Sequence, residues 1–476
     1  MKIKTLVVLL LCTLFMSNGV TNTTTFMLKG FVKDASGKGI PGVVVNNGVD
    51  FVKTDSRGAW YLNTDTLLSK FVSISTPAAY ELPQKDGLAS GFYVDVKTAV
   101  AQRGYNFVLK KRKATADSFY YIAISDPQVL NDAEMKRWTT ETVSDLKRTV
   151  ATLTKKRPVV GMTLGDLVFD NMPLYTAYKE SCKNLGMPIF QCIGNHDFDK
   201  RFQDLNNTRY GAANYGERLY GHFFGPTDYS FNIGKIHVIT MKNIDYLGGK
   251  SYVEAMTDKQ IAWIEKDLSY VPKGTTVILN MHAAGWNKVG GEGNMRNAAK
   301  LVKAMAGYNV HVFCGHTHFF QNIEVNSSFY QHNIGAACGA WWAGEVNRCG
   351  APNGYMIVEV NGADLKWHYK PTKQEVSYQF RLYAPGTFRT QPNSLVADVW
   401  DYDTKCKVEW YQDDKPMGAM QQFTDVDESY RRQSNDKPGL VQTSHLFRCE
   451  PTGNYKTVKV VLTNRFGETY SQTYTK

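Results

Sequence analysis

Five short segments of this chain gather side chains that bind cations or move protons. IAISDPQ offers Asp126 and Gln128, GMTLGDLVFDN offers Asp166, and FQCIGNHDFD offers Asn195, His196 and Asp197. VILNMHAAGW adds His282, and VFCGHTHFF adds His316 and His318. Singly, each is a weak signal: Gly-Asp is commonly a turn, and one histidine behind a strand is commonly a satisfied structural group. Jointly they supply carboxylate, amide and imidazole donors. That mixture suits manganese, iron or zinc rather than the all-oxygen shell of calcium.

Each segment follows an apolar run that reads as a β-strand. The strand candidates are 119–124, 158–164, 188–193, 236–241, 275–280 and 310–314, and amphipathic helices are predicted over 132–154, 172–184, 257–269 and 295–307. The alternation argues for an α/β domain. In such sheets the carboxyl ends of the strands border the ligand crevice, so five distant segments can meet in one place. A strand-rich stretch, 325–372, is expected to close this domain. His237 alternates with Ile236 and Val238 and reads as structural, while His222 carries no assignment.

The flanks have a different texture. Residues 24–113 show short alternating runs, such as Val43-Val44-Val45 and Ala59-Trp60-Tyr61-Leu62, punctuated by turns at Ser36-Gly37, Pro41-Gly42 and Asn47-Gly48. They predict a β-sandwich module with no chemical constellation. A basic linker, Lys110 to Lys113, separates it from the α/β region of 117–371. Residues 373–476 return to strands and turns and predict a second all-β accessory domain.

Composition bounds the rest. A chain of 476 residues suggests about three domains, and 43% apolar with 13% aromatic content excludes a disordered protein. Lys2 and Lys4, the apolar run from Leu6 to Met16, and Ser17-Asn18-Gly19 read as a signal peptide over 1–20. That run is too short to cross a bilayer and no later stretch is long enough. The chain is therefore expected in the periplasm, at the cell surface or in the medium. The formal charge of +11 favours anionic substrates, but the Lys and Arg residues are scattered, so no dedicated nucleic-acid site is expected. Of the cysteines, Cys314 is expected to be a buried free thiol, and Cys338 with Cys349 and Cys406 with Cys449 are candidate bridges in a disulfide-permissive compartment. Nothing in the pattern specifies an oligomeric state.

GDLVFD, GNHDFD, NMH and GHTH resemble the motif series of the calcineurin-like metallophosphoesterases across roughly 117–370, and the flanking modules resemble those attached to exported bacterial members. The resemblance implies a four-layer α/β/β/α sandwich flanked by two all-β accessory domains. It implies that Asp166 bridges two metal ions, with Asp126, Gln128 and His318 completing one site and Asn195, His282 and His316 the other. It further implies hydrolysis of phosphomonoesters or phosphodiesters by a metal-bound hydroxide. His196 would act as general acid and Asp197 would orient its ring. The first motif departs from the usual Asp-Xaa-His, since Gln128 stands where an imidazole is common; a neutral carbonyl ligand favours Mn or Fe over Zn. Gln128 also lends support to an alternative, cleavage of a nucleotide-type pyrophosphate. A further alternative is a non-catalytic surface binding protein on the same scaffold. Asn195, His196, Asp170, Asn171, Trp341 and Trp342 are candidate contacts for a phosphorylated small molecule or lipid headgroup. For the two tryptophans, stacking on a ligand and core packing both stand open.

Overall fold

The computed structural model describes residues 25–66, 68–202, 211–287, 289 and 293–476. The signal-peptide expectation lies outside the described residues.

Two sheets stacked face to face build the centre. The first contains the parallel strands Ser118–Ile124, Val159–Thr163 and Ile189–Gln191, flanked by the antiparallel strands Gly354–Asn361 and Asp364–Pro371. The second contains the parallel strands Ile236–Thr240, Thr276–Asn280, Asn309–Cys314 and Phe329–Asn333, edged by Tyr229–Ile233 and Gln321–Asn326. Their near-continuous apolar sequences follow from burial on both faces. The two-residue period sorts the side chains. Phe119, Tyr121 and Ala123 enter the core between the sheets, whereas Tyr120, Ile122 and Ile124 pack outward. Ile278 likewise points inward, with Val277 and Leu279 outward.

Helices cover both outer faces and complete the four layers expected from the sequence. Asp132–Arg137 and Ser144–Leu153 are one continuous helix interrupted by a π-helical stretch, Trp138–Val143. With Tyr175–Ser181 it buries Trp138, Leu146, Val150, Tyr175 and Tyr178 against the first sheet. Asp258–Leu268 and Ala298–Ala304 cover the second through Ile261, Ile264 and Leu301. The former helix opens with a reciprocal Thr257–Gln260 capping box.

The N-terminal module pairs a three-stranded with a four-stranded sheet around Val32, Trp60, Val72 and Phe107. It is not self-contained. A hairpin, Gln84–Lys85 and Leu88–Ala89, leaves the module and pairs with Ile189, becoming the edge of the first central sheet. The Asn232 amide also donates to the Thr76 carbonyl at 2.8 Å. The C-terminal module consists of two four-stranded antiparallel sheets packed through Leu395, Val399, Val458 and Val460.

Both candidate disulfides are corrected by the structure: Cys338, Cys349, Cys406 and Cys449 are all free thiols. Their sulfurs serve different neighbours. Cys338 Sγ lies 3.7 Å from Gln128 Oε1, and Cys349 Sγ accepts from the Phe320 amide at 3.2 Å. Cys406 Sγ rests beside Asp403. Cys314 is buried and free, as expected.

Candidate metal centre

The loops that leave the carboxyl ends of both central sheets converge, and their backbones are unusual. Asp126, Gln128, Asp166, His316 and His318 all adopt positive φ, between 43° and 71°. Non-glycine residues in this left-handed region cost free energy and concentrate at functional sites. The approach is close enough to demand glycine beside the ligands. A Cβ on Gly194 would lie 2.1 Å from Asp166 Oδ1, and one on Gly315 would lie 2.4 Å from Asp126 Oδ2.

Hydrogen bonds fix which atom each imidazole turns inward. His282 Nδ1 donates to the Leu164 carbonyl at 2.8 Å, so Nε2 is the nitrogen left to offer a lone pair to a cation. That nitrogen sits 2.9 Å from Asn195 Oδ1, 3.1 Å from His316 Nδ1 and 3.3 Å from Asp166 Oδ1. His316 Nε2 faces Glu254 Oε1 at 3.0 Å, with the Tyr252 hydroxyl at 3.4 Å. With both outer nitrogens donating, four acceptor atoms point at one spot, an arrangement that a cation satisfies. Asp166, His282 and His316 bring ligand atoms within 4.8 Å of one another. Burial opposes a charge on His282, yet the Asp166 carboxylate holds its pKa up at about 10. A cation would take the place of that proton.

The second half of the centre is equally enclosed. Asp126 is 0% exposed, and its Oδ2 accepts from the Ser125 hydroxyl and from the His316 amide at 3.0 Å. Its Oδ1 has no hydrogen-bond partner, a costly condition for a buried carboxylate. His318 Nε2 lies 3.7 Å from that orphan oxygen, and its Nδ1 donates to the Gly339 carbonyl. Here too the donor set fits a metal ion. Gln128 faces Asp166 Oδ2 through its amide nitrogen at 3.1 Å; half a turn of the amide presents the carbonyl oxygen instead.

His196 and Asp197 sit on a short 3₁₀ turn, Asn195–Asp197. The sequence expectation that Asp197 orients His196 is corrected. Asp197 is fully buried and accepts from the backbone amides of Leu167 and Gly194, at 3.0 and 2.8 Å, and from the Tyr175 hydroxyl. It ties the two motif loops together, and burial with the neighbouring Asp166 charge pushes its carboxyl up to about 7. The group that holds His196 is Asp170, whose Oδ1 lies 2.9 Å from His196 Nδ1. Burial pulls the His196 pKa down, but Asp166 and Asp170 outweigh it and raise it. The Phe169 ring stacks on His196 at 4.1 Å, and Lys200 reaches Asp170 at 3.4 Å and the Asn195 carbonyl. Asn171 spends its amide on the Leu130 carbonyl at 2.7 Å.

The two tryptophans separate. Trp341 is 46% exposed and stacks on His318, ring centroids 4.7 Å apart. Trp342 is corrected to a core residue: it is 7% exposed and donates Nε1 to the Pro127 carbonyl at 2.9 Å. His237 is structural, bonded within the core to Asp267 at 2.7 Å. Phe169 and Lys200 lie inside or beside motifs already in view, and their spacing from Asp166 and His196 was the available signal. Glu254 and Tyr252 come from the hairpin Ile244–Gly248 and Ser251–Glu254, which carries no motif.

Three family models match the chain. The N terminal of calcineurin-like phosphoesterase matches residues 27–112, calcineurin-like phosphoesterase matches 120–320, and the C terminal of calcineurin-like phosphoesterase matches 331–470. Solved structures with a similar fold include a dimetal phosphatase from Danio rerio, 12% identical, covering 54% of this chain and 97% of that one with a TM-score of 0.38. Purple acid phosphatase PPD1 from yellow lupin is 12% identical over 70% of this chain and 67% of its own, TM-score 0.41. A 5'-nucleotidase from Candida albicans is 10% identical over 54% and 52%, TM-score 0.34. No curated protein sequence matches the chain.

Proposed function

Because the chain belongs to the calcineurin-like phosphoesterases and carries both of that family's flanking modules, we propose that it is an exported phosphoester hydrolase working with two metal ions. The observation that carries the reading is the convergence of Asp166, Asn195, His282 and His316 through acceptor atoms alone. Asp166 is the shared carboxylate. Asp126, Gln128 and His318 would hold one ion beside it, and Asn195, His282 and His316 would hold the other; manganese, iron and zinc all suit these donors. Bound there, such ions supply Lewis acidity and an activated water at neutral pH. His196 keeps its proton beside Asp170 and gives it to the departing alkoxide from Nε2. Phe169 and Lys200 fix the ring and its carboxylate. The substrates proposed are phosphomonoesters or phosphodiesters of small molecules or lipid headgroups.

The test is turnover of a chromogenic phosphomonoester and the matching bis-ester by purified protein reloaded with Mn, Fe or Zn. Activity should vanish with chelator and in Asp166→Ala, whose bound metal, counted by elemental analysis, should also fall. Silence towards every ester with every metal would end this reading. Export rests on Lys2, Lys4 and the run from Leu6 to Met16; a mature chain retaining Met1 in its native host would refute it.

A further inference from the structure

The segment from Cys338 to Gly350 places one large aromatic at the metal centre and anchors it from several sides. Trp341 and Trp342 both adopt φ of +55°, a conformation that is a genuine outlier for bulky residues and persists only where the surroundings over-determine it. Trp342 is sunk beneath and bonded to Pro127, the residue between Asp126 and Gln128. Arg137 donates to the carbonyls of Trp342 and Gly344 at 2.7 and 3.1 Å and lies over the Trp342 ring. Arg348 reaches back, its amide bonding the His318 carbonyl at 2.9 Å. The result is an indole with one face on the His318 ring and much of the remainder in solvent.

The far side of this segment is held by the C-terminal module. Gln433, at the end of its helix Glu428–Gln433, bonds Val346 twice, accepting from the amide and donating to the carbonyl, each at 3.0 Å. Arg381 donates to the Gly350 carbonyl at 2.9 Å. The module that the sequence leaves without chemistry therefore clamps the loop that carries Trp341.

We infer that Trp341 is a specificity-determining platform for the leaving group, selecting phosphoesters whose alcohol carries a ring with a stackable face, and that Gln433 is a positioning residue acting through it. This rests on the phosphoesterase reading above. A ring seated on the exposed indole surface would lie one aromatic ring away from His318, whose Nε2 faces Asp126 Oδ1. Stacking on an aromatic side chain is sequence-tolerant chemistry that aryl, nucleobase and sugar rings share in different degrees.

The experiment compares kcat/KM for 4-nitrophenyl phosphate, a nucleoside 5'-monophosphate and a hexose phosphate with that for glycerol 3-phosphate, using the metal-loaded full chain. Trp341→Ala should lower the ratio of ring to glycerol ester by about tenfold, mostly through KM, as loss of one stacking contact implies. Trp341→Phe should keep most of the ratio, and Gln433→Ala should lower it in the same direction by a smaller factor. The ring ester with the largest drop identifies the ring class. A wild-type chain that hydrolyses all four esters, with a ratio unmoved by Trp341→Ala, would overturn this inference alone. A wild-type chain that hydrolyses none of the four, nor the chromogenic bis-ester, would overturn the phosphoesterase reading beneath it.

Discussion

His196 illustrates how a neighbour on the preceding motif sets a role. Asp197 is adjacent in the chain, but its oxygens are consumed by the Leu167 and Gly194 amides and the Tyr175 hydroxyl. Asp170, on the loop after Asp166, is the carboxylate in reach of the His196 ring. Replacing Asp170 with Asn keeps the shape and removes one of the two charges, beside that of Asp166, that raise the His196 pKa. General acid assistance is worth on the order of 10²–10⁴ in rate, so kcat for alkyl esters should fall by at least tenfold. Aryl esters, whose weakly basic phenoxides leave without help, should fall far less. Equal losses on both would remove His196 from the acid role. Which residue types are present was legible in the sequence; which carboxylate faces which ring was not, because that depends on the turn of the Asn195–Asp197 segment.

The strands and helices behind the site were largely readable in advance. The predicted strands 119–124 and 275–280 fall on Ser118–Ile124 and Thr276–Asn280, because apolar runs buried on both faces leave little other choice. The predicted helix 257–269 falls on Asp258–Leu268, which has both amphipathic spacing and a capping box. The helix over 132–154 is continuous, but its pattern gave no sign of the π-helical stretch at Trp138–Val143. The hairpin that brings Tyr252 and Glu254 behind His316 was also illegible, being short and partly exposed. The paired cysteines failed for a plain reason: spacing says nothing about where two thiols point.

At the scale of the molecule, one ionic junction fastens the N-terminal module to the centre. Glu217 lies between Lys70, at 2.5 Å, and Lys242. Burial alone would push the Glu217 carboxyl up, but Lys242 and Lys70 draw it down to about 2 from an ordinary value of 4.5. The folded-state pKa is depressed, so the junction stabilises fully above pH 4.5 and that contribution fades as pH falls towards 2. Glu217→Gln should therefore destabilise the chain by about 3 kcal/mol near neutrality, the linkage value of a carboxyl drawn from 4.5 down to about 2. The gap from wild type should narrow between pH 7 and pH 3, where the unfolded carboxyl is protonated but the folded one is still largely ionised, as read from denaturant midpoints. A gap that does not narrow would deny the junction its role.

The hairpin at residues 84–89 has a consequence for how this protein is inherited and handled. Its Leu88 strand covers Ile189 and finishes the sheet from which Asn195 emerges. Cutting the chain at the basic linker near residue 113, where composition suggests a boundary, would strip that covering and bare a row of unpaired backbone groups. Raw sheet borders recruit other chains and lead to aggregation. The leading module is thus not cargo that recombination can shed or exchange at the linker; it travels with the centre, and any shortened piece meant to stay soluble must begin upstream of Gln84.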